Sequence, residues 1–277
     1  MNDERCAMND ERIIRIAVCG AAGRMGRRII ACASERSDTA IAGAFDMPGC
    51  PCIGQDSGLL AGIGENKVII TSDAAAALAP ADVVIEFALP AGFAQRVALC
   101  SSMKKAMVIG TTGVDAAGKA AVAAAAKIVP VIHAPNFSVG VNLLFALTKR
   151  AAQVLDEGYD VEIIEMHHRR KQDAPSGTAL RLADMVESGM AGRALRRVHG
   201  RQGDVGARPA DELAIHAVRG GDVVGDHTVI FAAEGERIEL THKAGSRDTF
   251  AVGALRAAVF LARAKPGLYT MADVLGM

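Results

Sequence analysis

Short apolar runs alternate with helical patterns through the first 137 residues, and this alternation restricts the possible folds more than any other feature of the chain. The predicted strands cover residues 15–19, 41–45, 68–71, 82–87, 106–110 and 128–134. Strands separated by helices at this spacing become parallel neighbours, because each helix carries the chain back across the sheet. The sequence therefore predicts an α/β domain built on a Rossmann-like, doubly wound parallel sheet.

The first predicted strand ends in a glycine-rich loop, GAAGRMG, at residues 20–26. Glycines let the backbone approach a pyrophosphate, and the N-terminus of a following helix favours its negative charge. The spacing is GxxGxxG, with Ala22 in the middle position, so the loop alone could also be a plain tight turn. Asp46 ends the second strand, where a carboxylate can accept hydrogen bonds from an adenosine ribose. This context favours a dinucleotide-binding loop.

A different pattern follows Asn136. One long apolar-rich helix is expected over residues 139–155, and the later elements no longer alternate regularly. The predicted strands cover residues 161–166, 213–218, 228–233 and 237–243, with a helix at 178–188 and a final helix at 250–264. This pattern indicates a second, α+β domain with a mixed or antiparallel sheet.

Charge and composition exclude several classes of partner. The chain has 31 basic and 31 acidic residues, a balance that argues against binding to nucleic acid or to a membrane surface. No apolar run reaches the roughly 18–20 residues that span a bilayer. Cys50 and Cys52 are the only close pair of cysteines, so no metal site is expected. Residues 1–12, which contain MNDER twice, are expected to be a disordered extension or to reflect an ambiguous start codon.

The stretch EIIEMHHRRKQDAPSGTAL, residues 162–180, carries the strongest chemical signal. An apolar, strand-like run ends in His167 and His168, and a cationic segment follows through Lys171. A helix is expected to begin after Pro175, with Ser176 as its N-cap. A proton donor, several cations and a helix N-terminus at this spacing suit a small polyanion that must receive a proton.

This stretch closely resembles the signature of the 4-hydroxy-tetrahydrodipicolinate (dihydrodipicolinate) reductase family of bacterial lysine and diaminopimelate synthesis, and the resemblance covers residues 13–275. It implies NAD(P)H-dependent reduction of a cyclic imine that bears two carboxylates. It implies that His167 is the catalytic proton donor and that Lys171 is catalytic and pairs with a substrate carboxylate. The implied substrate-binding residues are His168, Gly177, Thr178 and Arg247.

The resemblance also implies the contacts to the cofactor. They are expected at Gly20, Ala21, Ala22, Gly23, Arg24, Met25, Asp46, Gly110, Thr111, Thr112, Ala134, Pro135, Asn136 and Phe137. In the family an arginine often follows the acid of the second strand and accommodates the 2′-phosphate of NADPH, but Met47 stands there in this chain. We therefore predict that NADH is preferred and that NADPH is also usable, with Arg24 as the alternative contact for the phosphate.

The resemblance implies a dinucleotide-binding domain of residues 13–137, completed by 247–277, and a substrate-binding and oligomerisation domain of residues 138–246. It further implies a cytoplasmic homotetramer. Two alternatives remain open on the sequence: another two-domain NAD(P)-dependent dehydrogenase of amino-acid biosynthesis, and a non-catalytic dinucleotide sensor. A semialdehyde dehydrogenase needs a nucleophilic thiol in its substrate domain, yet every cysteine precedes residue 101. A sensor predicts a broken proton donor, yet His167 and Lys171 are both present.

Overall fold

A computed structural model describes residues 12–155 and 158–277. The chain divides into two compact units. The first runs to Ala134 and resumes over Ala251–Val274, and the second comprises Pro135–Phe250 and Leu275–Met277. The expected N-terminal extension lies outside the described residues except for Arg12, whose guanidinium donates to Asp82 at 2.8 Å.

The first unit contains a seven-stranded sheet whose described strand pairs are all parallel. Its strands, numbered along the chain, are β1 (Ile14–Cys19), β2 (Thr39–Phe45), β3 (Ile70–Thr71), β4 (Val83–Glu86), β5 (Ala106–Ile109), β6 (Pro130–His133) and β12 (Gly267–Tyr269). The strand order is β12-β6-β5-β4-β1-β2-β3. Strands β2 and β3 follow on one side of β1, and β4, β5 and β6 follow on its other side. The predicted doubly wound topology is therefore confirmed. Sheets of this kind bind ligands at the carboxyl ends of the strands flanking such a switch point.

The central strands of this sheet are buried on both faces. Val18, Ile85, Val108 and Ile132 are each 0% exposed, which explains why these strands appear as continuous apolar runs. Burial of one such side chain contributes about 1.5–3 kcal/mol. The helices of this unit are α1 (Arg24–Ser34), α2 (Ser57–Ala61), α3 (Ala74–Leu78), α4 (Phe93–Ser102), α5 (Ala116–Ala125), most of α8 (Asp248–Leu261) and most of α9 (Met271–Leu275).

The second unit is built on a five-stranded sheet of order β11-β10-β7-β9-β8. Its elements are α6 (Val139–Val154), β7 (Asp160–His167), α7 (Gly177–Gly189), β8 (Arg196–Val198), β9 (Glu212–Arg219), β10 (Gly225–Ala233) and β11 (Glu236–Ala244). The central strand β7 is parallel to β9 and antiparallel to β10. The sheet is therefore mixed, which is one of the two arrangements that the sequence pattern predicted.

Side chains alternate between the two faces of β7, and the row that faces the helices changes character along the strand. Val161 and Ile163 lie in the apolar core with Leu182 of α7. The next two positions of the same row are Glu165, which is 0% exposed, and His167, which is 9% exposed. Along this row the residues therefore change from apolar ones in the core to two ionisable ones, Glu165 and His167, at the carboxyl end of the strand.

The structure differs from the sequence-based prediction in some element boundaries. The glycine-rich loop was predicted to extend to residue 26, with the helix after it, but α1 begins at Arg24. A Cβ on Gly26 would lie 2.2 Å from the carbonyl oxygen of Gly20, so Gly26 is the position where the first helical turn packs on the loop. Strands β8 and β12 were not predicted, because three residues are too few to show a period. Within the described residues, no helix is long and apolar enough to cross a membrane.

Candidate active site

The glycine-rich loop connects β1 to α1 at the carboxyl edge of the parallel sheet. Gly20 has a φ of 74°, a left-handed conformation that glycine adopts without strain. Its amide donates to the carbonyl of Phe45 at 3.0 Å, and the amide of Ala21 donates to the same carbonyl at 3.2 Å. These bonds hold the loop beside the end of β2, where Asp46 follows.

Asp46 is bonded to the loop through its carboxylate. Oδ2 accepts from the amide of Ala22 at 3.0 Å, and Oδ1 accepts from the amide of Met47 at 2.8 Å. Gly23 and Arg24 are exposed beside this contact. The structure therefore brings the predicted cofactor residues of the loop, including Met25 in the first turn of α1, to the same edge as Asp46.

Helix α1 has no side-chain cap among the described residues, and its N-cap is Gly23. By contrast, three other helices have an N-cap side chain that accepts a hydrogen bond from a backbone amide: Asp73 for α3, Asp115 for α5 and Ser176 for α7. The first amides of a helix lack partners within the helix and attract anions. The loop, Asp46 and the start of α1 consequently fit the pyrophosphate and the adenosine ribose of a dinucleotide.

The segment after β5 lies at the same edge of the sheet. A Cβ on Gly110 would lie 2.3 Å from the ring of Phe87, so only glycine fits there. Thr111 Oγ1 donates to the carbonyl of Ala88 at 3.0 Å, and Thr112 follows as an exposed residue. The amide of Ala134 donates to the carbonyl of Ile109 at 3.1 Å. The predicted residues of β5 and β6 are therefore neighbours.

The remaining predicted cofactor residues, Pro135, Asn136 and Phe137, belong to the second unit. Phe137 is 0% exposed, so its side chain is part of the core. Asn136 accepts from the amide of Ser138 at 2.9 Å through Oδ1. Its Nδ2 donates to Thr178 Oγ1 at 3.1 Å. Asn136 is thus bonded to one of the predicted substrate-binding residues.

His167 is fixed by a buried carboxylate on its own strand. Its Nδ1 lies 2.6 Å from Glu165 Oε2. Burial lowers the pKa of His167, while the hydrogen bond and the charge of Glu165 act in the opposite direction. The other ring nitrogen, Nε2, takes no part in this contact. A Cβ on Gly225 would lie 3.0 Å from Nε2. The first residue of β10 must therefore be small.

The carboxylate of Glu165 accepts three further hydrogen bonds. Arg219 at the end of β9 donates from both terminal nitrogens, at 2.8 Å to Oε2 and at 2.9 Å to Oε1. The amide of Ser176 donates to Oε1 at 3.0 Å. Burial alone would raise the pKa of Glu165, but the hydrogen bonds from Arg219, His167 and Ser176 hold it below its ordinary value. Glu165 is therefore a carboxylate that remains charged inside the protein.

His227 of β10 lies against His167, with ring centroids 5.1 Å apart in an edge-to-face arrangement. Its Nε2 is 3.0 Å from Ser176 Oγ. Burial is the main reason that the pKa of His227 falls to about 3. The ring is therefore neutral at working pH and adds no charge to the site.

Lys171 and His168 lie just beyond β7. Lys171 Nζ donates to both carboxylate oxygens of Asp173, at 2.9 and 2.8 Å. This bond is the main reason that the pKa of Asp173 falls below its ordinary value. The amide of His168 donates to the carbonyl of Val223 at 2.8 Å, which anchors the turn that carries Lys171.

Helix α7 begins where its capping residue predicted. Ser176 Oγ accepts from the amide of Ala179 at 3.1 Å. Gly177, the first helical residue, is exposed, and a Cβ there would meet no described atom within 4 Å. Thr178 follows in the same turn. Arg247 lies in the turn before α8 and is exposed, and none of its described contacts joins it to His167.

Sequence reasoning did not identify Glu165 and Arg219. The sequence contained one signal for Glu165, because this acid lies two residues before His167 and therefore in the same buried row of β7. The partner Arg219 follows 54 residues later and gave no local signal. No group of three or more His, Cys, Asp or Glu side chains in the described parts of the chain is arranged for a metal ion.

Comparison with known proteins gives matches over nearly the whole chain. The model of dihydrodipicolinate reductase, N-terminus, matches residues 14–137, and the model of its C-terminus matches residues 140–275. The 4-hydroxy-tetrahydrodipicolinate reductase of Aromatoleum aromaticum is 52% identical over 266 residues, which cover 95% of this chain and 96% of that protein. The same enzyme of Dechloromonas aromatica is 49% identical over 265 residues, covering 95% and 98%.

A solved structure shares the fold. The dipicolinate-bound dihydrodipicolinate reductase from Paenisporosarcina sp. TG-14 superimposes with a TM-score of 0.75 at 24% identity, over 94% of this chain and 98% of that one. The parallel sheet with its glycine-rich loop, together with these matches, defines an oxidoreductase that uses a pyridine nucleotide.

The chain belongs to the dihydrodipicolinate reductase family. It catalyses the NAD(P)H-dependent reduction of 4-hydroxy-tetrahydrodipicolinate to tetrahydrodipicolinate with release of water, a step of lysine and diaminopimelate biosynthesis. This finding decides between the alternatives that the sequence left open.

Proposed function

We propose that His167 donates the proton in this reaction and that Lys171 binds a carboxylate of the substrate. The observation that carries the proposal is the 2.6 Å contact between His167 Nδ1 and Glu165 Oε2. It fixes the imidazole at the carboxyl end of β7 and leaves Nε2 to meet a ligand. Because Glu165 also accepts from the amide of Ser176, the same carboxylate fixes the start of α7.

The reaction requires a proton donor, and we assign this role to His167. The nicotinamide nucleotide, when bound, supplies the hydride. Addition of hydride to the conjugated cyclic imine moves electron density to a neighbouring ring carbon, which must then accept a proton. The N–H bond at Nε2 of the imidazolium breaks, and a C–H bond forms on the substrate. Imidazole suits this step because its ordinary pKa, about 6.5, is close to working pH.

Two positions are proposed for the two carboxylates of the substrate. Lys171 binds one of them, since its ammonium already holds a carboxylate, that of Asp173. The amides of Gly177 and Thr178 at the start of α7 bind the other, and the space around Gly177 allows a close approach. His168 and Arg247 complete the proposed contacts. The dipicolinate bound by the Paenisporosarcina relative supports a small dicarboxylate cyclic imine as the substrate.

We propose NADH as the preferred cofactor, bound by residues 20–25, Asp46, residues 110–112 and residues 134–137. The carboxylate of Asp46 favours ribose hydroxyls and repels a 2′-phosphate. Met47, which is 63% exposed, offers no charge to neutralise that phosphate. NADPH remains usable if Arg24, exposed in the loop, reaches the phosphate instead.

We further propose a cytoplasmic homotetramer that assembles through the sheet of the second unit. Ile164 and Val218, which are 38% and 41% exposed, lie on the face of that sheet opposite α7 and support an interface there. Residues 13–137 with 247–277 form the proposed dinucleotide-binding domain, and residues 138–246 form the other. The assignment of Ala251–Val274 to the first unit supports a discontinuous dinucleotide-binding domain, although the two units divide after Ala134 and after Phe250.

Cofactor fluorescence tests the proposal directly. The chain contains no tryptophan, so the protein background is low while NADH or NADPH is titrated with and without pyridine-2,6-dicarboxylate. We expect NADH to bind more tightly than NADPH, and the dicarboxylate to strengthen NADH binding. Lys171→Gln should abolish that strengthening, and Lys265→Gln, at an exposed position, should retain it. Binding of NADH that ignores the dicarboxylate in every variant would contradict the proposed substrate site.

A further inference from the structure

The carboxylate of Glu165 joins three parts of the second unit that are distant in sequence. It accepts from His167 on its own strand, from Arg219 at the end of β9 and from the amide of Ser176 at the start of α7. Its side chain is 0% exposed, and that of Arg219 is 21% exposed. One buried charge therefore sets the positions of the proposed donor and of the proposed carboxylate-binding turn.

Arg219 reaches the site from a neighbouring strand. It lies opposite His167 in the parallel pairing of β7 with β9. Besides its two bonds to Glu165, its Nη2 donates to the carbonyl of Asp173 at 2.8 Å. Arg219 thereby connects the Glu165–His167 pair to the segment that holds Lys171, which pairs with Asp173.

The charges around His167 come from several elements. Glu165 is the anion on its own strand, Lys171 is the cation of the following turn, and Arg219 is the cation from β9. His227 of β10 is neutral because burial lowers its pKa to about 3. Asp173 pairs with Lys171, so Glu165 and Arg219 form the ion pair that bears most directly on the imidazole.

We propose that Glu165 and Arg219 are positioning residues for proton transfer: Glu165 orients His167 so that Nε2 faces the substrate, and Arg219 shares the charge of that carboxylate. The inference rests on the proposed role of His167 as the donor. A carboxylate alone would stabilise the imidazolium and slow the release of its proton. The bidentate bond of Arg219 offsets this effect, so that the ring both holds a proton and gives it up near neutral pH.

The two residues should therefore act on His167 with opposite signs. A proton donor works below its pKa, so turnover declines as pH rises through that value. Arg219→Gln removes the compensating cation, and the decline should move to higher pH by on the order of one unit. Glu165→Gln removes the anion, and the decline should move to lower pH by a similar amount. Turnover should fall roughly 10- to 100-fold in Glu165→Gln, because the ring is no longer oriented, with the dissociation constant for NADH within about twofold of wild type.

The experiment combines pH profiles of kcat with NMR titration of the His167 ring, which gives its pKa without requiring activity. The double variant Glu165→Gln/Arg219→Gln should bring the pKa back toward the wild-type value, since the two effects cancel. General loosening of the site would not produce such a cancellation. Arg219→Lys keeps the charge and should keep most of the wild-type profile. Arg237→Gln, on an exposed arginine of β11, is the matched control and should shift nothing.

Two outcomes would overturn the inference. One is a His167 pKa unchanged in both single variants, and the other is a shift of the same sign in both. Failure of the proposed function has a different signature, namely a His167→Gln variant that keeps wild-type turnover. If Glu165→Gln does not fold, the His167 pKa values of Arg219→Gln and Arg219→Lys still test the inference, because only Arg219→Gln removes the positive charge.

Discussion

Asn136 Nδ2 donates a hydrogen bond to Thr178 Oγ1 across 3.1 Å. One partner belongs to the proposed cofactor contacts and the other to the proposed substrate contacts, and both lie in the second unit. A shared bond of this kind gives each binding event a way to order the residues that the other requires.

The first prediction follows from that bond. Thr178→Val removes the acceptor, and the affinity of the NADH complex for pyridine-2,6-dicarboxylate should fall roughly five- to tenfold, the effect of losing one hydrogen bond. Thr178→Ser keeps the hydroxyl and serves as the control. Isothermal titration of both variants with the dicarboxylate measures the effect. Equal affinities of the valine and serine variants would show that the hydroxyl has no part in binding.

A second prediction concerns His167, the proposed proton donor. His167→Gln should lower kcat on the order of 10²-fold or more while NADH binding stays nearly intact, because proton transfer is lost and the nucleotide contacts are not. Steady-state kinetics and NADH fluorescence measure the two effects. The same change at His199, which is exposed, should leave both unchanged. Parallel losses of kcat and NADH affinity in His167→Gln would argue that the residue is structural.

Cofactor choice yields a third prediction. Met47→Arg should increase kcat/KM for NADPH relative to NADH roughly tenfold, because a cation beside Asp46 can pair with the 2′-phosphate. Met47→Leu, which adds no charge, should keep the wild-type ratio. If the ratio does not change in Met47→Arg, Arg24→Met should be measured next. A selective loss of NADPH in that variant would assign the phosphate to Arg24.

Glu162 provides a fourth prediction, on acid stability. Burial acts to raise its pKa, but hydrogen bonds from Arg201, His216 and Arg208 dominate and lower it to about 2. An unfolded glutamate has a pKa of about 4.3, so the folded state gains stability that is present above that pH and is lost as pH falls toward 2.

Glu162→Gln should therefore reduce the free energy of unfolding by on the order of 2–3 kcal/mol at pH 7, with a smaller difference at pH 3. Urea unfolding at the two pH values measures both differences. Glu239→Gln is the control, since Glu239 pairs with Arg237 at the surface and should contribute little at either pH. A difference for Glu162→Gln that does not depend on pH would mean that its charge is not what stabilises the fold.

The sequence predicted the elements that depend on local pattern. Strands β1 to β6 of the parallel sheet, a second sheet that is mixed or antiparallel, and the N-cap at Ser176 all follow from periodicity and capping chemistry. The start of α1 was placed three residues late, because Gly26 has a low helix propensity and its contact with Gly20 is not visible in a local window.

The electrostatic surroundings of His167 could not be predicted in the same way. The pairing of Glu165 with Arg219 depends on β7 lying beside β9, and the chain between them includes a helix and a further strand. The neutral ring of His227 lies against His167 only because β10 flanks β7 on the other side. Such contacts are set by strand order, which local patterns do not determine.

The central place of β7 has a consequence for the dynamics of the enzyme. Its backbone is bonded to β10 on one side and to β9 on the other, so its amide hydrogens should exchange with solvent mainly through global unfolding. The turn with Lys171 begins directly after this strand and lies outside the ladder of paired strands, anchored by separate backbone bonds such as that from His168 to Val223. We therefore expect the proposed proton donor, His167, to lie on the most slowly exchanging part of the unit, and the proposed substrate-binding cation, Lys171, to lie on a segment whose amides exchange faster.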